Sequence, residues 1–434
     1  MTTIVHNVTI VNEGKCYQAD VRIEDGRVAE IARGRELPVG AGDSSLDAAG
    51  AFLLPGVIDG HVHMREPGLT HKATMESETR AAARGGVTTV LDMPNVVPQT
   101  TTLGLLGERY ALARGRCHVN YGFYLGATSD NIEEIRRLDP SACPGVKLFM
   151  GSSTGNMLVD REETLRRIFR ESPTLIMTHC EDSSRIKRNE ERIGGCDVFL
   201  HSLIRDHEAC LRSTELAVRL AREEGARLHV AHISTAQELE LFSPGDDRIT
   251  AEACLPHLLF TDADYETLGS RIKCNPAIKT ARDRDALRDA LTNGRIRTVA
   301  TDHAPHLLSE KQGGLKAMSG MPMVQFSLPA MLGLVDEGVL TPERLVELMC
   351  HNPARLYDIR ERGFIREGYR ADLVMVRRTP WTLTKDCIES RCGWSPLEGR
   401  TFGWRVEKTW VNGQLVWDGT GFPQPPRGER VQFA

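Results

Sequence analysis

Residues 52–63, FLLPGVIDGHVH, mark the place where the character of the chain changes. Before them, VHNVTIVN, QADVRIEDG and RVAEIARG alternate between apolar and polar positions and are split by turn residues such as Asn12, Glu13, Gly14 and Asp25, Gly26. Alternation of period two between turns is antiparallel β chemistry. From FLLPGVIDGHVH onward, short continuous apolar runs alternate with helical segments. The runs are GVIDGHVH (56–63), VTTVLDMP (87–94), VNYGFYLG (119–126), GVKLFM (145–150), TLIMTHC (174–180), RLHVAHIS (227–234), ITAEACL (249–255) and RTVATDHAP (297–305). Between them lie amphipathic stretches such as ETLRRIFRES and ACLRSTELAVRLAREEG, the second ending at a Gly225 stop. Eight apolar strands, each followed by a helix, predict an α/β fold of the (β/α)8 barrel type.

Beyond residue 355 short strands return in ADLVMVRR and VEKTWVNGQLVWDG, where Asn412-Gly413 is a hairpin dipeptide. The organisation expected is a barrel over 55–357, flanked by a small discontinuous, sandwich-like β domain from segments 1–54 and 358–434. A net charge of −5 gives no general attraction to nucleic acid. No apolar run is long enough to span a bilayer, and MTTIVHNVTIVNEGK alternates like a strand instead of resembling a signal peptide. A cytoplasmic protein without membrane or nucleic-acid partners is expected. The 11 scattered cysteines, with no C-x-x-C pair, suggest buried thiols in a reducing compartment.

In such barrels, groups at the C-terminal strand ends converge on one face. Those positions hold His61 and His63, Lys147, His179, His232 and Asp302. Two histidines at i and i+2 on a strand share a face and suit joint coordination of one ion. An isolated H-x-H pair is weak evidence, since a buried histidine is more often simply hydrogen-bonded. Unrelated core histidines, however, have no reason to gather at the same end of different strands. The donors exceed what one tetrahedral ion with an open position requires, so two divalent ions are expected, zinc being the default for imidazole and carboxylate. Lys147 is the anomaly, an ammonium inside an apolar strand, where an unpaired charge is costly. It either reaches water along its stem or has another chemical role.

The ordered set PGVIDGHVHMREPG, GGVTTVLDMPN, GVKLFM, MTHCED, VAHIST and TDHAPH resembles the amidohydrolase superfamily, and within it the cyclic amidases: dihydroorotases, allantoinases and hydantoinases. The similarity spans nearly the whole chain. It implies that Lys147 reacts with carbon dioxide to form a carbamate bridging both metals. His61, His63 and Asp302 would bind one ion, and His179 and His232 the other. It also implies a bridging hydroxide as nucleophile, with Asp302 as the catalytic proton shuttle. Read from the residues alone, Thr301-Asp302-His303-Ala304-Pro305 could equally be a helix-capping turn.

Arg65 follows two positions after His63, and its planar fork suits a carboxylate; the alternative is a surface salt bridge with Glu66. HVHMREPG resembles the dihydroorotase form, in which this arginine grips the substrate carboxylate. The same resemblance makes His63, Asn95, Asn275 and His306 substrate contacts, with backbone contacts around Ser319 and Gly320. It implies reversible cyclisation of N-carbamoyl-L-aspartate to dihydroorotate in pyrimidine biosynthesis, with another cyclic amidase or a non-catalytic scaffold as alternatives. A homodimer, or association with the preceding pathway enzyme, is the assembly it leaves open. MGSSTGNMLVD, after Lys147, is either a mobile lid or a plain connection, and Lys279 stands where such enzymes often carry arginine.

Overall fold

The computed structural model describes residues 2–151 and 156–434. The chain opens with β1 (Thr3–Asn12), β2 (Lys15–Glu24), β3 (Arg27–Ala32), β4 (Ser44–Asp47) and β5 (Phe52–Pro55). At the other end lie β15 (Leu373–Thr382), β16 (Thr401–Val411) and β17 (Gln414–Trp417). These strands form one eight-stranded sheet, β17-β16-β15-β5-β1-β2-β3 with β4 beside β1, so both ends of the chain build the β-rich unit expected of them.

A single residue, Gly56, separates β5 from β6 (Val57–Val62), the first strand of the central part. A Cβ at Gly56 would stand 2.1 Å from Thr88 Oγ1, so only glycine lets the two layers approach this closely. The other central strands are β7 (Val87–Asp92), β8 (Asn120–Phe123), β9 (Leu125–Gly126), β10 (Val146–Phe149), β11 (Ile176–His179), β12 (Leu228–Val230), β13 (Ile249–Cys254) and β14 (Thr298–Ala300). They pair in parallel as β6-β7-β8 and β9-β10-β11-β12-β13-β14, with only Tyr124 between β8 and β9. Between the outer strands, Val62 and His303 form a parallel bridge, and the His63 N–H donates to the His303 carbonyl at 2.7 Å. Strands β6, β7 and β13 are buried along their whole length, as continuous apolar runs in a helix-covered parallel sheet should be.

The helix His207–Glu224 starts at the Asp206 cap and stops at Gly225, which adopts the left-handed conformation at φ 68°, as its sequence predicts. Two expectations change. β12 ends at Val230 and β14 at Ala300, so His232 and Asp302 each lie two residues beyond their strands, and only a short 3-10 turn, Glu238–Leu241, follows β12 where a helix was expected. The cause is local: the buried Glu238 carboxylate accepts from the Ser234 and Thr235 N–H groups and from the Thr214 and Thr235 hydroxyls, which turns the chain at once. The candidate lid includes residues 152–155, which lie outside the described residues; just after them, Val159 N–H pairs with the Phe149 carbonyl.

Candidate active site

At the C-terminal ends of the parallel strands a cavity of about 410 Å³ opens. It is lined by His61, His63, Lys147, His179, His232 and Asp302, and by Arg65, Asn95, Asn275, His306, Ser319 and Gly320, so every candidate metal, catalytic and substrate residue of the sequence meets here, while Lys279 is not in the lining. Three of them, Arg65 (φ 65°), His232 (φ 37°) and Asp302 (φ 47°), hold left-handed backbone that is uncommon outside glycine. Conformations of that kind concentrate at functional sites, where the surrounding structure enforces them.

The hydrogen bonds define where lone pairs point. His61 Nδ1 donates to Glu252 Oε1 at 2.8 Å, which in the neutral ring leaves the Nε2 lone pair facing Asp302 Oδ1 at 3.3 Å. His63 Nδ1 lies 2.8 Å from Asn95 Oδ1, so its Nε2 likewise faces Asp302 Oδ1, at 3.0 Å. Burial lowers the His63 pKa to about 4, so this ring is neutral near pH 7. Two lone pairs and a carboxylate oxygen converge here within 4.8 Å of one another, an arrangement that could hold a cation. On the other side, His179 Nε2 pairs with Glu181 Oε2 at 2.9 Å, and its Nδ1 is 2.9 Å from His232 Nε2.

Lys147 is buried between these groups, and among the described residues its Nζ has no hydrogen-bond partner; nor has Nδ1 of His232. The ammonium therefore does not reach water. Burial lowers its pKa to about 8, against the attraction of Glu252 and Asp302. A buried, unpartnered amine and imidazole nitrogen beside a converging donor set fit a site built for metal ions.

Arg65 is buried and makes no pair with Glu66, whose carboxylate pairs with Arg116 at 2.9 Å. Instead its Nε donates to the Pro305 carbonyl at 3.0 Å, and Nη2 lies 3.0 Å from His306 Nε2. His306 Nδ1 lies 3.1 Å from Lys72 Nζ, and its Nε2 lies 3.0 Å from the Ser319 carbonyl as well as from Arg65, so two cationic donors face the two ring nitrogens. Ser319 Oγ in turn donates to Asn275 Oδ1 at 3.1 Å. Gly320 holds φ 126°, and a Cβ there would lie 2.6 Å from that of Ala304.

Asp302 caps no helix: no helix starts at it. Several residues of the site were not read from the sequence. Glu252 and Glu181 orient the histidines, while Asp59, which accepts from Thr301 N–H and Oγ1, ties β6 to the segment carrying Asp302. For Glu252 and Asp59 a signal was available, since a carboxylate within an apolar strand run is as anomalous as Lys147; Glu181 lies past the end of its run and gave none. Lys273 lines the cavity as well, from the segment before Asn275.

A model of the Amidohydrolase family matches residues 52–416, and the chain belongs to that family. Within it, the chain is a cyclic amide hydrolase. It is 36% identical to a dihydroorotase of Halobacterium salinarum, over 92% of this chain and 96% of that one. It is 30% identical to an allantoinase of Escherichia coli, over 99% and 98%. Among solved structures, the L-hydantoinase (dihydropyrimidinase) from Arthrobacter aurescens superimposes with a TM-score of 0.94 at 30% identity, covering 99% of each chain. Enzymes of the family generally depend on two metal ions, in keeping with the donor groups at this cavity.

Proposed function

We propose that this enzyme is a dihydroorotase, interconverting N-carbamoyl-L-aspartate and (S)-dihydroorotate in pyrimidine biosynthesis. The observation that carries the reading is Arg65. A buried guanidinium faces the cavity, and its hydrogen bonds go to a carbonyl and its neighbour is an imidazole, not a carboxylate. A charged fork without a carboxylate suits a substrate that brings one. In the same reading the two parallel sheets form one closed (β/α)8 barrel, and the ions are two zinc ions. His61, His63 and Asp302 would hold one and His179 and His232 the other, with Lys147, as its carbamate, supplying the anionic ligand that balances their charge.

When bound, such ions supply Lewis acidity and water that ionises near neutral pH. The chain's own residues do the rest. Arg65, Asn95, Asn275 and His306 fix the ring with its carboxylate at Arg65 and one carbonyl over the strand ends. Asp302 accepts a proton as water oxygen adds to that carbonyl carbon, then returns it to the ring nitrogen as the C–N bond breaks. One carboxylate thus serves as base and acid, a contribution of about 10²–10⁴ in rate for such groups. Closure reverses these steps and releases water.

The allantoinase and hydantoinase relatives support a second reading, an amidase for a ring without a carboxylate. Rates on dihydroorotate, allantoin and hydantoin decide between them. Turnover of the last two without the first would overturn the proposal. Arg65→Met is expected to raise KM for dihydroorotate about 10- to 100-fold, the loss of a charged hydrogen-bonded contact, with metal content unchanged.

A further inference from the structure

We propose that Lys311 is a positioning residue of this active site: its buried ammonium ties the segment carrying Ser319 and Gly320 to the segment carrying Lys273 and Asn275, and so sets the wall against which the substrate ring lies. The inference rests on the reading of this cavity as the cyclic-amide site, and not on which ring it takes.

Lys311 reads from the sequence as one more surface charge in LSEKQ, yet only 3% of it is exposed. Its Nζ lies 2.9 Å from the Lys273 carbonyl, 2.6 Å from that of Met318 and 2.7 Å from that of Gly320. Three ammonium protons thus meet three main-chain acceptors. Burial, Lys273 and Arg65 push its pKa down to about 7, with Glu310 opposing them, while the three carbonyls favour the charged form. Attraction to a carboxylate therefore does not explain the position; the carbonyls do.

Those carbonyls belong to the two strips of chain that form one side of the cavity. The strips meet a second time where Gly320 N–H donates to the Lys273 carbonyl at 2.9 Å, and a third where Lys273 Nζ donates to the Ala317 carbonyl at 2.6 Å and lies 3.2 Å from Ser319 Oγ. Lys311 stands outside the cavity, behind this wall, and is absent from its lining. It acts through Ser319, Gly320 and Asn275 and touches no substrate.

The test uses the full-length, metal-loaded enzyme. Lys311→Met keeps the length of the side chain and removes the donors. The expected result is a KM raised about tenfold or more on the cyclic amide turned over, with kcat within about threefold and metal content unchanged, the pattern of lost ground-state positioning. Hydrogen exchange supplies a readout independent of substrate and of the variant's folding. In the unsubstituted enzyme, the Met318 and Gly320 amides should exchange nearly as slowly as those of β13, because opening them breaks the tie. An unchanged KM in Lys311→Met, or loop-like exchange at those amides in the unsubstituted enzyme, would overturn the inference. An enzyme inactive on every cyclic amide would refute the functional reading, and exchange would still decide the tie.

Discussion

The floor and the wall of the cavity are built on opposite principles. The floor, at the strand ends, leaves polar atoms unsatisfied: Lys147 Nζ and His232 Nδ1 lack partners among the described residues, and the lone pairs of His61 and His63 face an acceptor. The wall, from Lys273 to Asn275 and from His306 to Gly320, is tied together by Lys72, Lys273 and Lys311, each donating to a ring nitrogen or a carbonyl. Buried polar atoms without partners are costly. A region that keeps several of them is waiting for charge from outside, whereas a self-satisfied region is already in its working shape. The floor should therefore respond to substitution through metal content and the wall through substrate affinity.

The largest effect is expected at Lys147. Lys147→Ala removes the group proposed to bridge the ions, and activity should fall below detection together with metal content, while exchange along the wall stays unchanged. Short carboxylic acids added in solution should restore a trace by standing in for the lost anion. Full activity in this variant would break the distinction, because the floor would then need no bridging anion.

What was legible in the sequence follows the same division. His61, His63, His179, His232 and Asp302 are found by their place in strand runs, because a strand end fixes which face a side chain meets. Lys147 stands out because a charge in an apolar run has few explanations. All eight runs contain parallel strands, the third broken at Tyr124 into β8 and β9, but β12 and β14 stop four and five residues before their runs do, so His232, where Glu238 turns the chain early, and Asp302 both fall past their strands. Lys311 and Lys72 carry no such signal. Each sits among polar neighbours in a segment without periodicity, and only the packing of distant segments buries them.

Glu252 is the floor's hidden support, and its substitution comes next in size. It accepts from His61 Nδ1, and the attraction of His61 and His229 keeps it ionised in spite of complete burial. A carboxylate behind a ligating histidine sets its tautomer and basicity, and removing one typically costs about 10- to 100-fold in metal affinity. Glu252→Gln is expected to weaken metal binding by that factor, read by chelator competition, with KM for the cyclic amide unchanged in fully loaded enzyme. A changed KM with unaltered metal affinity would place Glu252 with the wall.

The smallest effect sharpens the wall's side of the comparison. Lys72 Nζ is 3.1 Å from His306 Nδ1 and 2.9 Å from Glu310 Oε1, so its charge is balanced while one of its protons fixes the imidazole. A proton from Lys72 to Nδ1 puts the ring proton on Nε2, toward the Ser319 carbonyl, whereas a proton from Arg65 Nη2 to Nε2 puts it on Nδ1, so the two cations compete for the tautomer. Trp394 Nε1 donates to the His306 carbonyl at 2.7 Å and holds the backbone, so Lys72 controls only the ring. Lys72→Met should let that ring change tautomer or turn, at a cost of about 1 kcal/mol for one hydrogen bond. That corresponds to a KM roughly fivefold higher, with kcat and metal content unaffected. Nitrogen chemical shifts of His306 check the cause directly, since Nδ1 should lose its acceptor signature in the variant. An unaltered tautomer with an altered KM would shift control of His306 from Lys72 to Arg65, whose Nη2 lies 3.0 Å from the other ring nitrogen.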